Sequence, residues 1–144
     1  MKRIIVMMLV SLVMLACGEK ANTLMASEPS KQAKDYVEIL YFHGKQRCVT
    51  CRAIEKNAKE LLDSKFAGKM KAGKVVWRVI DISQKENEAI AEKYGVTWSS
   101  LFIVTHKNGK DQAENLTELA FANARSNPAK FKAELQQRIN QALK

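Results

Sequence analysis

The pattern of apolar and polar positions predicts a mixed α/β order along most of the chain. Residues 36–42 (YVEILYF) form a short, β-rich apolar run, which predicts a buried strand. After a C-x-x-C segment, apolar residues recur at helical spacing and predict a helix to about Ala67, followed by Gly68 and Gly73. Residues 75–82 (VVWRVIDI) predict the second strand.

The next segment predicts a second helix and a third strand. Ser83, with Glu86 three residues later, is typical of a capping box that begins a helix. This helix is expected to run to Tyr94 and to end at Gly95, a residue type that tolerates the left-handed conformation of a helix end. Residues 101–105 then predict the third strand.

The last part of the chain predicts a hairpin and two helices. Asn108-Gly109 is a strong hairpin signal, so a fourth strand should return antiparallel from Lys110. Residues 116–125 predict a helix, and Asn127-Pro128 is typical of the start of another. That final helix carries apolar residues at four-residue steps: Phe131, Leu135, Ile139 and Leu143. The predicted order is β-α-β-α-β-β-α with an extra C-terminal helix, and its first two strands are parallel.

The N-terminus has the pattern of an export signal. Lys2 and Arg3 precede an apolar run at 4–15, which is shorter than the roughly 20 residues that span a membrane. The run ends at Ala16-Cys17-Gly18, which resembles the lipobox of bacterial lipoproteins, where the cysteine is acylated. An ordinary cleaved signal peptide with an incidental cysteine is the alternative.

The lipoprotein interpretation divides the chain into three parts. Residues 1–17 are the signal peptide and lipobox, 18–34 a polar, flexible tether, and 35–144 one domain. Lipidation at Cys17 would leave Cys48 and Cys51 to pair with each other. The protein is then expected to be exported, on the periplasmic side of the cell envelope, and attached to a membrane through the lipid.

The net charge of the sequence indicates which classes of partner the protein is expected to bind. The formal net charge is +9, and removal of Lys2 and Arg3 with the signal leaves 22 basic residues against 15 acidic ones. Such a surface favours anionic lipid or acidic partners. The basic residues are not interleaved with aromatic ones as in a nucleic-acid groove, and export also argues against nucleic-acid binding.

The element order, with C-x-x-C where the first strand meets its helix, resembles the thioredoxin superfamily. The resemblance covers 36–144 and is strongest at 36–67 and 79–96 (VIDISQKENEAIAEKYGV), while residues 108–110 (NGK) fit the hairpin turn of the family. It implies an α/β thioredoxin fold with a central, mixed four-stranded sheet. It also implies a thiol–disulfide oxidoreductase with a redox-active Cys48–Cys51 disulfide, protein thiols and disulfides as partners, and no cofactor.

The placement of the two cysteines predicts their roles. Cys48 at a helix N-terminus meets unpaired N–H groups and the positive end of the helix dipole, both of which favour a nucleophilic thiolate. Lys45, Arg47 and Arg52 add positive charge that should tune the pKa of this thiol. Cys51, one turn later on the buried side, is expected to resolve the mixed disulfide that Cys48 forms with a partner.

Three other uses of the pair remain as alternatives. A static disulfide closes too short a loop to constrain the unfolded chain much. Zinc or iron–sulfur binding would need further ligands, such as His43 or a second chain, since a second C-x-x-C is absent. The third alternative is a redox-inactive binding module.

The chain departs from the family pattern at three places. Val49-Thr50 separates the cysteines, so the redox potential cannot be transferred from thioredoxins. Tyr41 takes the place of the family's buried Asp, and Glu38 faces the wrong way to replace that acid. Ser99 stands where the family has a cis-proline. The absence of that proline would open the space above the cysteines to a metal ion. Trp98, Ser99 and Ser100 form the predicted partner-contact loop, although Trp98 could equally pack in the core.

Overall fold

The computed structural model describes residues 34–144, which form a four-stranded sheet with helices on both faces. The predicted signal peptide, the lipidation site at Cys17 and the tether up to residue 33 lie outside the described residues. The strands are β1 (Tyr36–His43), β2 (Val75–Asp81), β3 (Ser100–Lys107) and β4 (Lys110–Asn115). The α-helices are α1 (Val49–Leu61), α2 (Ala67–Lys71), α3 (Glu88–Lys93), α4 (Thr117–Asn123) and α5 (Pro128–Ala142).

The sheet has the strand order β2-β1-β3-β4. β1 is parallel to β2 and antiparallel to β3, and β3 is antiparallel to β4. The predicted thioredoxin fold, with a mixed four-stranded sheet and an additional C-terminal helix, is confirmed by this order and these connections. The chain turns from β3 into β4 at Asn108 and Gly109, which both have the positive φ angles that such a hairpin needs.

The central strand β1 separates two hydrophobic cores, because successive side chains point to opposite faces of a sheet. Val37, Ile39 and Tyr41 pack with α1, α4 and α5 in the larger core. Leu40 and Phe42 belong to the smaller core on the other face, together with residues of α3. Glu38 shares that second face, as predicted, and cannot lie beneath the cysteines.

The structure corrects the predicted capping box at Ser83. The Ser83 backbone N–H and hydroxyl both donate to Asp81 Oδ1, at 2.9 and 2.7 Å, so Ser83 closes a turn at the end of β2. A short 3₁₀ turn at Lys85–Asn87 follows, and α3 begins only at Glu88. Asp81 lies two residues before Ser83 and competes for it locally, which the capping pattern does not take into account.

The first helical segment also extends beyond its predicted end at Ala67. A π-helical turn at Leu62–Phe66 joins α1 to α2, which ends at Lys71. Gly68 therefore lies inside a helix, and Gly73, with φ +68°, is the glycine that ends it. No helix among residues 34–144 is both long enough and apolar enough to cross a membrane.

Candidate functional site: the Cys48–Cys51 pair

The cysteine pair lies where β1 leads into α1. Cys48 is the N-cap residue of α1, with extended backbone geometry, and its Sγ accepts a hydrogen bond from the Cys51 backbone N–H at 3.0 Å. The two residues form a disulfide, with their Cα atoms 5.0 Å apart. A helix N-cap normally offers an oxygen to these free N–H groups. Here a sulfur takes that position, which would stabilise a thiolate once the disulfide is reduced.

The two sulfurs differ in their access to solvent. Cys48 is exposed, whereas Cys51 retains only 5% of its accessible surface and faces the larger core from the first turn of α1. Ile54, one turn further along the same face, is fully buried. Cys48 is therefore the more accessible of the two cysteines, and Cys51 is shielded by the core. The roles of nucleophile for Cys48 and resolving thiol for Cys51 stay predictions.

A buried tyrosine lies beneath the pair. The hydroxyl of Tyr41 donates a hydrogen bond of 2.7 Å to the backbone carbonyl of Cys51, and its ring has no exposed surface. Burial raises the pKa of Tyr41, and the nearby Arg47 and Ser99 side chains oppose that effect. The sequence identified Tyr41 only as a departure from the family pattern. Its hydrogen bond joins residues ten positions apart on two elements, and no local sequence signal indicates such a contact.

The three cations predicted to act on Cys48 have different environments. Arg47 forms an ion pair with Glu55 in α1, and its guanidinium carbon lies 5.8 Å from the centre of the Tyr41 ring. Its charge is thus partly balanced by the Glu55 carboxylate, which lies eight residues further along the chain and gives no local sequence signal of this contact. Lys45 and Arg52 are exposed, so solvent screens their effect on the thiol.

The predicted partner-contact loop lies at the same end of the sheet as the cysteines. Ser100, the first residue of β3, pairs with Phe42 near the end of β1, so residues 98–100 are next to the segment that enters α1. Ser99 and Ser100 are buried, at 8% and 5% exposure. The Ser100 hydroxyl donates to the Trp98 carbonyl at 3.0 Å, which ties the loop to the start of the strand.

Two large apolar side chains are exposed around this site. Trp98 is 58% exposed, and one side of its ring rests on Phe121, with 5.1 Å between ring centres. Val49, directly after Cys48, is 57% exposed. The exposure of Trp98 argues against a core-packing role, and the part of Trp98 in partner contact stays a prediction.

The described residues contain no group of three or more His, Cys, Asp or Glu side chains arranged to hold a metal ion. His43, the histidine considered as a further ligand, ends β1 and is half-buried. Its Nδ1 lies 3.0 Å from the carbonyl oxygen of Gly44. The cysteines and His43 therefore do not form a three-ligand site in this arrangement.

Comparison with protein-family profiles and with curated protein sequences finds no match. Comparison with solved structures finds a thioredoxin from Thermus thermophilus (16% identity over 74% of this chain and 72% of that one, TM-score 0.46). It also finds thioredoxin-2 of a malaria parasite, described as a component of the protein secretion machinery (16% identity over 74% of this chain and 86% of that one, TM-score 0.47). A third structure is that of a malarial protein (18% identity over 60% of this chain and 93% of that one, TM-score 0.40). The fold assignment comes from this chain's own strand order, and with the Cys48–Cys51 pair it supports a thiol–disulfide oxidoreductase in general terms.

Proposed function

We propose that the protein is an exported, lipid-anchored thiol–disulfide oxidoreductase that exchanges disulfides with partner proteins in the bacterial cell envelope. The observation that carries the proposal is the asymmetry of the pair. Cys48 is exposed and its sulfur caps a helix N-terminus, whereas Cys51 is bonded to it and buried one turn later. A merely structural disulfide has no need of one accessible sulfur at a helix end.

The exchange proceeds in two balanced steps. In the reducing direction, the Cys48 thiolate attacks one sulfur of a partner disulfide, a mixed disulfide forms and one partner thiolate leaves. Cys51 then loses its proton and attacks the Cys48 sulfur, which forms the Cys48–Cys51 disulfide and releases the second partner thiolate. Two electrons pass from the protein to the partner. The oxidising direction is the reverse of these steps.

The surface around Cys48 is suited to an extended protein segment rather than to a small polar molecule. Val49 and Trp98 provide exposed apolar area on two separate segments that meet at this end of the sheet. Aromatic side chains supply much of the contact energy at protein interfaces. We therefore assign the loop of Trp98, Ser99 and Ser100 to partner contact beside the exposed sulfur, with Trp98 supplying the exposed side chain and the buried Ser99 and Ser100 holding the loop in place.

The envelope location rests on the N-terminal sequence alone. The apolar run at 4–15 followed by Ala16-Cys17-Gly18 supports export and acylation at Cys17. Outside the cytoplasm a disulfide persists, and a thiol must be actively kept reduced. The direction of exchange then depends on the reduction potential: values near about −270 mV are typical of a reductant and near about −120 mV of an oxidant.

The decisive experiment compares the two single cysteine variants. In the reduced protein, Cys48 should react with iodoacetamide faster than Cys51, because it is exposed and its thiolate is stabilised at the helix end. Cys51→Ser should accumulate mixed disulfides with partner proteins through Cys48, whereas Cys48→Ser should accumulate few.

The matched control is the double variant Cys48→Ser/Cys51→Ser, which should form no mixed disulfides. Faster alkylation of Cys51 would show that the assigned roles are wrong. Failure of the wild-type protein to cycle between dithiol and disulfide with dithiol reagents would contradict the proposed activity itself.

A further inference from the structure

The end of the domain opposite Cys48 is densely basic. The parallel strands β1 and β2 both begin at this end, and the hairpin that joins β3 to β4 lies at the same end. The end of α2 and the end of α5 reach the same place, because both contribute to one cavity of about 310 Å³ that Tyr36 and His106 also line. We call this end the basic pole, and its lysines are Lys69, Lys71, Lys74, Lys107, Lys110 and Lys144.

The lysines of the basic pole are exposed and carry charge that the described residues leave unbalanced. None of them takes part in an ion pair between described residues. Lys56, Lys59 and Lys132, elsewhere on the surface, each lie within 4.0 Å of a carboxylate oxygen. Lys45, Lys65, Lys85 and Lys130 also form no ion pair between described residues, but they lie on four separate segments outside the pole. Six unpaired lysines are therefore grouped at one end of the domain, whereas the unpaired lysines elsewhere are single residues on separate segments.

Two acidic side chains lie at this end and offset only part of its positive charge. Asp35 lines the cavity, and its Oδ1 accepts a hydrogen bond from the Asn108 backbone N–H at 3.1 Å. Asp111 contacts Lys93 at 3.2 Å and His106 at 2.7 Å. Two lysines direct their ammonium groups to main-chain oxygens: Lys74 to that of Asp35, at 3.3 Å, and Lys107 to that of Lys144, at 3.0 Å.

The polypeptide also enters the domain at this pole. Lys34 and Asp35 come directly before β1, so the segment that carries the proposed lipid attachment at Cys17 joins the domain at the basic end. Cys17 and Lys34 are 17 positions apart in the sequence, a distance of at most about 60 Å when the chain is fully extended. A tether of that length allows the domain to touch the membrane without forcing it to do so.

We propose that the basic pole binds the anionic headgroups of the membrane that holds the tether, so that the domain rests on the lipid with Cys48 facing away. This proposal rests on the proposed lipid anchor. A lysine near an anionic lipid surface contributes enough for roughly a fivefold gain in affinity, and several act together. β1 runs from this pole to the cysteines, and its eight residues place Cys48 about 25 Å further from the lipid. The sulfur would then be accessible to water-soluble partners and to the outer parts of membrane proteins.

A lysine footprint tests the orientation. The full-length protein is bound to vesicles of phosphatidylcholine with about one third phosphatidylglycerol, or of phosphatidylcholine alone, and acetylated briefly with an amine-reactive ester. Acetylation of Lys69 and Lys107 should slow several-fold on the anionic vesicles only. Lys85, which follows β2, and Lys130, at the start of α5, are exposed, lie away from the pole and should be unaffected. Equal protection of all four lysines, or protection of none, would overturn the proposal.

Two charge-matched variants test the cause. The measured quantity is the ratio of partition onto anionic vesicles to partition onto neutral ones, in which the contribution of the lipid and apolar N-terminus cancels. Lys69→Gln/Lys107→Gln should lower this ratio by roughly tenfold or more, whereas Lys85→Gln/Lys130→Gln, with the same net charge, should leave it nearly unchanged. An equal fall in both variants would reduce the effect to overall charge and refute a specific pole.

The remaining outcomes separate this inference from the proposed function. Protection of Lys69 and Lys107 by inorganic phosphate without vesicles would assign the pole to a soluble anion and overturn the membrane contact. Loss of partition onto neutral vesicles in Cys17→Ser reports on the anchor alone, and dithiol–disulfide cycling reports on the redox activity alone. Each hypothesis can thus fail while the others stand.

Discussion

Replacing Tyr41 by phenylalanine tests what the buried hydroxyl beneath the cysteines does. The substitution removes one oxygen atom and the 2.7 Å hydrogen bond to the Cys51 carbonyl, while the ring keeps its place in the larger core. The bond reaches the backbone of Cys51 and not its sulfur. We therefore expect the variant to lose stability without a change in redox chemistry.

The magnitude follows from the partners that the carbonyl retains. A buried hydrogen bond contributes about 0.5–1.5 kcal/mol, and leaving its acceptor unsatisfied costs about 1–3 kcal/mol. The Cys51 carbonyl lies in the first turn of α1, where the helical pattern also gives it the N–H four residues later. The lower figure therefore applies, and we expect a loss of about 1 kcal/mol, or about 0.5 M in the urea midpoint.

Urea unfolding of both redox forms, together with the reduction potential, provides the assay. Because the hydroxyl does not contact sulfur, the loss should be equal in the disulfide and dithiol forms, and the potential should stay within about 10 mV of wild type. Tyr36→Phe removes the same atom at the other end of β1, where no described residue accepts a hydrogen bond from the hydroxyl, and should cost less than about 0.5 kcal/mol. A shift of about 30 mV or more in Tyr41→Phe would refute the reasoning, since it would mean that the hydroxyl distinguishes thiol from disulfide.

Further predictions concern pH, packing, anchoring and metal. Burial raises the pKa of Tyr41, so the stability that its neutral hydroxyl contributes is fully present below about pH 10 and is lost as pH rises through the folded-state pKa. The stability of Tyr41→Phe, followed by circular dichroism, should therefore fall less steeply above about pH 10 than that of the wild type. An equally steep fall in both proteins would contradict this. Asn57→Ala removes two hydrogen bonds of 2.9 Å that the buried side-chain amide donates to backbone carbonyls, and it should lower the free energy of unfolding in urea by about 1–3 kcal/mol. Lys56→Ala, at an exposed position, should lower it by less than about 0.5 kcal/mol. Equal losses would show that the buried amide does not contribute to stability in this way. Cys17→Ser should move the protein from the membrane to the soluble fraction on centrifugation, and unchanged partition would remove the lipoprotein interpretation. Protein purified anaerobically under reducing conditions should contain less than about half an equivalent of metal per chain. A higher metal content that is lost in Cys48→Ser would favour metal binding by the cysteine pair instead.

The order of strands and helices was predictable because it depends on local patterns. The apolar run at 36–42 and the helical spacing after the cysteines each indicate one element, and Asn108-Gly109 indicates the hairpin. Parallel pairing of β1 and β2 followed from the helix between them. The burial of Cys51 was also predictable, because it lies three residues before Ile54 on one helical face.

The contacts that complete the site were not predictable in the same way. Tyr41 reaches the Cys51 carbonyl, and Arg47 reaches Glu55, only after β1 and α1 have packed together. The capping box at Ser83 failed for a local reason, since Asp81 takes the hydroxyl first. Sequence patterns thus predicted which residues lie near Cys48, but they did not predict which of the charged residues there are paired with an opposite charge.

Side-chain charges and the backbone of α1 are the two sources that can stabilise the Cys48 thiolate in the reduced protein. Arg47 shares its charge with Glu55, and Lys45 and Arg52 are exposed to solvent, where ion interactions are weak. The sulfur itself caps α1 and accepts the Cys51 N–H at 3.0 Å. Backbone N–H groups at a helix start are fixed in place and close to the sulfur, whereas salt and water screen the exposed cations. We therefore expect most of the thiolate stabilisation in the reduced protein to come from the backbone of α1, with Lys45, Arg47 and Arg52 adding a smaller effect.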